Sequence, residues 1–220
     1  MNKLKKSPIK YFVLITLFFA ILLATIVVLK EKSEDKGEVL DSHPSTENQP
    51  TLGEKDAPVS VVEFGDYKCP ACKSWGETIY PALKEEFIDT GKANFSYVNV
   101  LFHGAESQLS SLAAESVYNH DPDSYWAFHK GIYDEQPEQE SAWVTVDKML
   151  EIAEKTTNMD IETLKQDLEK QTFIDEVEKD ASLVSQYSVN STPTIIINGT
   201  KLENPFDYDQ IKSLIEEGQE

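Results

Sequence analysis

Val59-Ser60-Val61-Val62-Glu63-Phe64-Gly65-Asp66-Tyr67-Lys68-Cys69-Pro70-Ala71-Cys72 is the stretch that decides the fold. Val59, Val61, Val62 and Phe64 form a β-branched and aromatic run that Gly65 and Asp66 stop, which reads as a strand. Past the second cysteine, Trp75, Ile79, Leu83 and Phe87 recur at the spacing of one helix face, and Pro70 stands where a first-turn proline is tolerated. A strand therefore runs into a helix with two cysteines at the joint. Pro81 lies inside that helix and should kink it.

Downstream, Gly91 closes the helix and Phe95 to Leu101 reads as a second strand, ending in Phe102-His103-Gly104. That completes a β-α-β unit. The signal then turns helical over 105–184, with apolar residues such as Leu109, Leu112, Ala113 and Val117, or Ile161, Leu164 and Leu168, at helical spacing. Pro193 to Asn198 is a further strand; Gly199 and the extended Thr200 to Glu203 complete a hairpin, and Tyr208 to Glu217 is a last helix. The order is β-α-β, a helical block, then β-β-α.

The chain has 220 residues, of which 40% are hydrophobic, enough for one ordinary core and too many for a disordered chain. All 20 basic residues are lysines, against 39 acidic ones, for a net charge of −19. Residues 1–36 are net +4, so the remainder carries −23. A surface that negative repels phosphate backbones and excludes nucleic acid as a partner.

Residues 11–29 carry no charge. As a helix at ~1.5 Å per residue they extend ~28 Å, close to the ~30 Å hydrocarbon thickness of a bilayer. Lys3, Lys5, Lys6 and Lys10 precede the run, which places residues 1–10 in the cytoplasm and the rest of the chain outside. A basic start and an apolar core also describe a secretory signal. A single-pass anchor in the cell membrane is favoured because the run is longer than a signal core and no small-x-small site follows. Residues 30–56, polar and without apolar periodicity, read as a flexible tether.

Cys69 and Cys72 are the only cysteines. Zinc would need about four ligands, and the four histidines are not at ligand spacing. A structural disulfide is the plain alternative, but a bridge closing so small a loop removes little unfolded-state entropy. A redox pair fits the position better. After a strand and at the start of a helix, Cys69 lies over unpaired N–H groups and the positive end of the helix dipole, which stabilises its thiolate, and Cys72 serves as the resolving thiol.

The run from Leu52 to Cys72 resembles the entry strand and active site of the DsbA family of thiol-disulfide oxidoreductases, and Val189-Asn190-Ser191-Thr192-Pro193-Thr194 is similar to that family's cis-proline loop. The likeness covers about residues 50–220 and is nearest to the membrane-tethered BdbD type of Gram-positive bacteria. It implies an α/β, thioredoxin-like fold over 57–104 and 185–220, an inserted helical subdomain over 105–184, and one N-terminal transmembrane helix before them.

The resemblance also implies roles. Cys69 is the nucleophile and Cys72 its partner; Pro193, preceded by Thr192, offers backbone groups to a substrate strand; Glu63 matches a buried acid that manages the Cys72 proton. The strand pattern around Glu63 is equally consistent with a solvent-facing glutamate. Pro70-Ala71 departs from the Pro-His of the best-known members, so a thiolate-stabilising histidine is absent. Lys68 and Lys73 flank the motif, either compensating in part or simply solvated. His103, at the expected rim, reads as an ordinary loop histidine.

Some Gram-positive relatives of this type hold calcium, and by position the ligands would be Glu115, Asp180 and Gln49, where solvated or helix-capping acids are the alternative. No organic cofactor is implied. Partners implied are reduced secreted or surface proteins as substrates and a quinone-linked thiol oxidase of the membrane for reoxidation. The competing functions are a reductase or isomerase supplying electrons outside the membrane, and a non-catalytic peptide-binding module.

Overall fold

In the computed structural model, which describes residues 13–25, 37–139 and 141–219, every residue of the strand Val59–Gly65 except Ser60 is buried. It is the third of six strands: β1 (Glu38–Val39), β2 (Thr51–Leu52), β3 (Val59–Gly65), β4 (Ala93–Asn99), β5 (Thr194–Ile197) and β6 (Thr200–Lys201), in the order β1-β6-β5-β3-β4-β2. β3 pairs parallel with β4, Val59 opposite Ala93 through Gly65 opposite Asn99, and antiparallel with β5, Val61 opposite Ile197. Every other pairing is antiparallel.

β3 is buried on both faces. Val59 and Val61 pack with Trp75, Phe95, Ile195 and Ile211, whereas Val62 and Phe64 pack with Val98, Ile196 and Tyr187. A central strand covered by helices on each side has no polar face, which is why its sequence does not alternate. The second strand begins two residues before the expected Phe95 and ends at Asn99, where the pairing with β3 stops at Gly65. Val100 and Leu101 are apolar but belong to the exit loop.

The helices are α1, within residues 13–25, α2 (Pro70–Thr78), α3 (Tyr80–Leu83), α4 (Ala105–His120), α5 (Tyr125–Glu135), α6 (Val146–Thr156), α7 (Ile161–Lys170), α8 (Ile174–Gln186) and α9 (Tyr208–Glu217). Pro81 interrupts the helix that follows the cysteines, as expected: α2 stops before Ile79 and α3 continues into a wide turn over Lys84–Ile88. Thr145, Asp160 and Asp207 cap α6, α7 and α9 by accepting from the backbone N–H of Lys148, Glu162 and Gln210. Asn198 and Gly199, at φ 44° and 86°, turn β5 into β6, the double positive φ that a two-residue hairpin requires. A core cluster runs from Tyr67, Cys72 and Tyr97 into the helical block, to Phe128, Ile132, Met149 and Leu164.

Within the stretch expected as a tether over 30–56, described residues from Glu38 onward are paired into the sheet. β1 pairs with β6, β2 pairs with β4, the Leu40 N–H meets the Gly199 carbonyl at 2.8 Å, and Pro44 and Pro50 are buried. Strands of two residues have no periodicity to read, and their partners lie far along the chain.

The cytoplasmic stub 1–10 and the ends of the expected 11–29 anchor lie outside the described residues. Residues 13–25 are helical and exposed throughout, with the Thr16 and Thr25 hydroxyls bonded back to Val13 and Ile21 carbonyls. Among the described residues no helix is long and apolar enough to cross a membrane.

Candidate active site

Cys69 caps the N-terminus of α2 in an extended conformation, with Pro70 at the first helical position. The backbone N–H groups of Ala71 and Cys72 at that helix start favour its thiolate. Both thiols are free and buried, Cys69 8% exposed and Cys72 1%. The Cys69 thiol is pulled down to about 5, chiefly by a hydrogen bond from Cys72, against desolvation, with further help from Thr192 and the two N–H groups. Cys72 goes the other way, held well above its ordinary value by burial, by that same bond, and by Glu63 and Cys69. One sulfur is an anion at neutral pH and the other a thiol.

Thr192 and Pro193 directly precede β5 beside the cysteine and are joined by a cis peptide bond. The Thr192 carbonyl oxygen lies 3.4 Å from the Cys69 sulfur, where it can accept only from the protonated thiol. Glu63 is 3% exposed, on the β3 face it shares with Val59 and Val61, and desolvation together with the Cys69 charge pushes its carboxyl up to about 8. The solvent-facing reading of Glu63 is therefore overturned, because the neighbouring strands and α2 cover it. A cavity of about 620 Å³ connects Glu63 and Cys72 with exposed Glu77, Lys130 and Asp134, between walls that include Trp75, Tyr80, Trp126 and Tyr133.

The flanking lysines do not serve the sulfur. Lys68 pairs with Glu106 at 3.2 Å and also meets the Ser141 carbonyl, while Lys73 donates to the Gln136 carbonyl at 2.8 Å.

Gln49, Glu115 and Asp180 come together although 131 residues separate the first from the last. Gln49 Nε2 donates to Asp180 Oδ1 at 2.6 Å, and Asn99 Nδ2 bridges Glu115 Oε1 at 2.9 Å and Asp180 Oδ2 at 2.8 Å. Glu115 and Asp180 are 4% and 1% exposed, so they are not solvated acids. Desolvation raises both, to about 8 for Glu115, which Asp180 also pushes, and to about 6 for Asp180. Gln49 Oε1 and Asn99 Oδ1 are buried with no partner among the described residues. Among those residues no group of three or more His, Cys, Asp or Glu is placed to hold a metal ion; the set here is two carboxylates and two amides.

Sequence reasoning missed Asn99, hidden at a strand end, and Asp66, which looked like a strand stop. It also missed the aromatic set behind Cys72, where the Tyr67 hydroxyl bonds His129 Nδ1 at 2.9 Å and the Tyr125 hydroxyl at 3.2 Å, and Tyr97 meets Tyr133 at 2.8 Å. Burial holds His129 down at about 3, as a neutral ring. Tyr125, His129 and Tyr133 recur at helical spacing, which signals only core, and Tyr67 and Tyr97 carry no such signal.

Residues 45–217 match the family described as Thioredoxin. The chain is 46% identical over 185 residues to disulfide bond formation protein D of Bacillus subtilis, covering 84% of this chain and 83% of that protein. It is 37% identical over 216 residues to a probable disulfide bond formation protein D of Bacillus cereus, 98% and 96% of the two chains. The oxidised crystal structure of BdbD from B. subtilis superposes with a TM-score of 0.80 over 83% of this chain and 98% of that one. With a free cysteine pair at a strand-to-helix joint facing a cis-proline, and relatives this close over this much of its length, the chain belongs to the DsbA-like branch of the thioredoxin family and is a thiol-disulfide oxidoreductase of the BdbD type.

Proposed function

We propose that the enzyme works as an oxidase outside the cytoplasm, donating a Cys69–Cys72 disulfide to reduced secreted or surface proteins. The observation that carries this is the opposite tuning of the two sulfurs, Cys69 near 5 and Cys72 well above the ordinary thiol. At pH 7 a pKa of about 5 favours the reduced pair by roughly two units, or ~2.7 kcal/mol, which raises a two-electron potential by ~60 mV. A more stable dithiol makes a more willing disulfide donor.

A substrate thiolate attacks the Cys69 sulfur, the Cys69–Cys72 bond breaks, and Cys72 leaves. Glu63, protonated near neutral pH, supplies the proton that the buried Cys72 needs, and the cavity beside both is the route by which that proton is replaced. Thr192 and Pro193 hold the substrate backbone. A second substrate thiol then displaces Cys69. The apolar helix over 13–25 supports membrane anchoring, close to a quinone-linked thiol oxidase that restores the disulfide.

Gln49, Asn99, Glu115 and Asp180 supply oxygen atoms only, the donor set of a hard cation, and calcium is the ion proposed. Half a rotation of either amide would aim its unpartnered oxygen where its N–H now meets the carboxylates. The ion would neutralise two buried carboxylates and tie the segment before β2 to β4, α4 and α8.

Equilibration with glutathione decides the direction. A potential at or above about −180 mV, the value for protein disulfide isomerase, supports the oxidase. One well below it makes the enzyme a reductase. In the host cell, Cys72→Ser should accumulate adducts through Cys69, and their absence would count against the mixed-disulfide route.

A further inference from the structure

Asp66 is the most heavily bonded carboxylate beside the cysteines, and the sulfur chemistry above leaves it without a task. Its side chain is wholly buried. Oδ1 accepts from the Lys68 N–H at 2.8 Å. Oδ2 accepts from the Phe102 N–H at 3.0 Å, the His103 N–H at 3.3 Å, His103 Nδ1 at 2.8 Å and the Ser107 hydroxyl at 3.0 Å. The same residue holds both cysteines: its carbonyl takes the Cys69 N–H at 2.9 Å and its own N–H points at the Cys72 sulfur at 3.5 Å.

The carboxylate accepts and cannot donate, so Nδ1 carries a proton toward Asp66 and Nε2 is the ring nitrogen left for another partner. The His103 side chain is 34% exposed, so part of the ring is within reach of an incoming group. Sheet order fixes which side it serves. β3, which leads to Cys69, lies between β5 and β4. Thr192, just before β5, flanks the Cys69 sulfur on one side, and His103 follows β4 on the other. A substrate backbone lying along Thr192 and Pro193 therefore leaves the His103 side of Cys69 free for a second thiol.

We propose that His103 is the base that takes the proton from the second substrate thiol, the one that resolves the mixed disulfide on Cys69, and that Asp66 is the residue that positions it. The proposal rests on the mixed-disulfide reading above. The second thiol gives its proton to Nε2 and its sulfur attacks the first substrate sulfur. The bond from that sulfur to Cys69 breaks as the substrate disulfide forms, Cys69 leaves with the electron pair as a thiolate, and the imidazolium passes its proton to water. The substrate has lost two electrons and the cysteine pair holds them.

A thiol of ordinary pKa, ~8.5, is about 3% ionised at pH 7, so a base that takes its proton gains at most about thirty-fold there and nothing above pH ~9. That gives the proposal a signature in pH. The charged groups on the elements packed around the imidazole are Asp66 and Lys68 on the loop after β3 and Glu106 in the first turn of α4.

The test uses the full chain with Cys72→Ser, loaded on Cys69 with glutathione and released by a single-cysteine peptide, with the rate followed from pH 6 to 9.5. His103→Gln should slow release by about ten-fold or more at pH 7, with the gap closing above pH 9, and added imidazole should restore the rate of His103→Ala. Equal loss at every pH overturns the proposal in favour of a structural role, and no loss overturns it outright. A Cys69 that takes up no glutathione overturns the mixed-disulfide reading and this one with it; normal loading with unchanged release in His103→Gln overturns this one alone.

Discussion

The sulfur of Cys69 lies 3.4 Å from the carbonyl oxygen of Thr192, so two residues 123 positions apart meet at the reacting atom. The contact follows from sheet order. β5 runs antiparallel beside β3, so the start of β5 and the end of β3 fall at the same edge, where α2 begins. The cysteine supplies the sulfur and the positive helix N-terminus stabilises its negative charge, while the far segment supplies the surface on which a substrate strand can lie.

Reduced and oxidised protein should separate in stability as pH rises. Only the reduced form carries the thiolate of Cys69, whose pKa of about 5 lies below that of an unfolded cysteine. Its contribution is complete above ~8.5 and is lost as pH falls through about 5. At pH 7 it amounts to ~2.7 kcal/mol, or about 5 to 10 °C in Tm for a domain of this size. Calorimetry of both forms at pH 5 and pH 8 checks this, and a gap that does not widen removes the charged sulfur from the account.

Glu63→Gln should stabilise the fold at high pH. The folded carboxyl titrates at about 8, the unfolded one near 4.5, so the folded state holds the proton more tightly. Stability is complete below ~4.5 and declines as pH rises to about 8, by on the order of 4 kcal/mol. Glutamine keeps the shape and removes the titration. Urea unfolding at pH 6 and pH 9 should show the variant gaining on the parent at the higher pH, with slower proton delivery to Cys72 in single-turnover oxidation.

Calcium at millimolar concentration should raise the Tm, and Asp180→Asn should abolish the rise. At a hundred-fold excess over Kd the gain is ~2.7 kcal/mol. Asp180 accepts from Gln49 and from both the backbone and side-chain N–H of Asn99, so the variant also weakens the joint between β4 and α8. The informative quantity is the calcium-dependent increment in each protein. No increment in the parent protein ends the calcium reading.

The order of elements was legible because apolar spacing changes sharply at Cys69, at Gly104 and at Pro193. The cysteine pair was legible because local sequence places it at a helix start. Glu63 was ambiguous on its residues alone, since a strand buried on both faces shows no alternation. Asp66, Asn99 and His103 were not legible at all as a group: each is an ordinary polar residue at a strand end, and its meaning comes from a partner on another element. β1 and β2 escaped for the same reason, being two residues long and defined by what they pair with.

Tyr67→Phe should cost about 1 to 3 kcal/mol, because the lost hydroxyl leaves Nδ1 of the half-buried His129 without its partner at 2.9 Å. The same ring predicts an acid-side slope. Burial holds folded His129 down at about 3, while an unfolded histidine takes a proton near 6.5, so stability falls as pH drops between those values. His129→Gln should flatten that part of the profile, as measured by urea unfolding from pH 4 to pH 7.

Gly65→Ala tests how tightly the floor of the site is packed. A Cβ there would lie 2.4 Å from Tyr97 Cε2 and 2.7 Å from its hydroxyl, inside contact distance with a ring that cannot swing freely, since Tyr97 is fully buried and bonded to Tyr133 at 2.8 Å. Either the ring or the end of β3 must move. Overpacking of this kind costs about 1 to 3 kcal/mol. The strand end carries Asp66, which bonds both the Cys69 N–H and His103, so the displacement reaches the sulfur. The variant should therefore lose stability in urea and also shift the thiolate absorbance titration of Cys69 upward from about 5. A destabilised variant with an unmoved Cys69 titration would show that the floor and the reacting sulfur are mechanically independent.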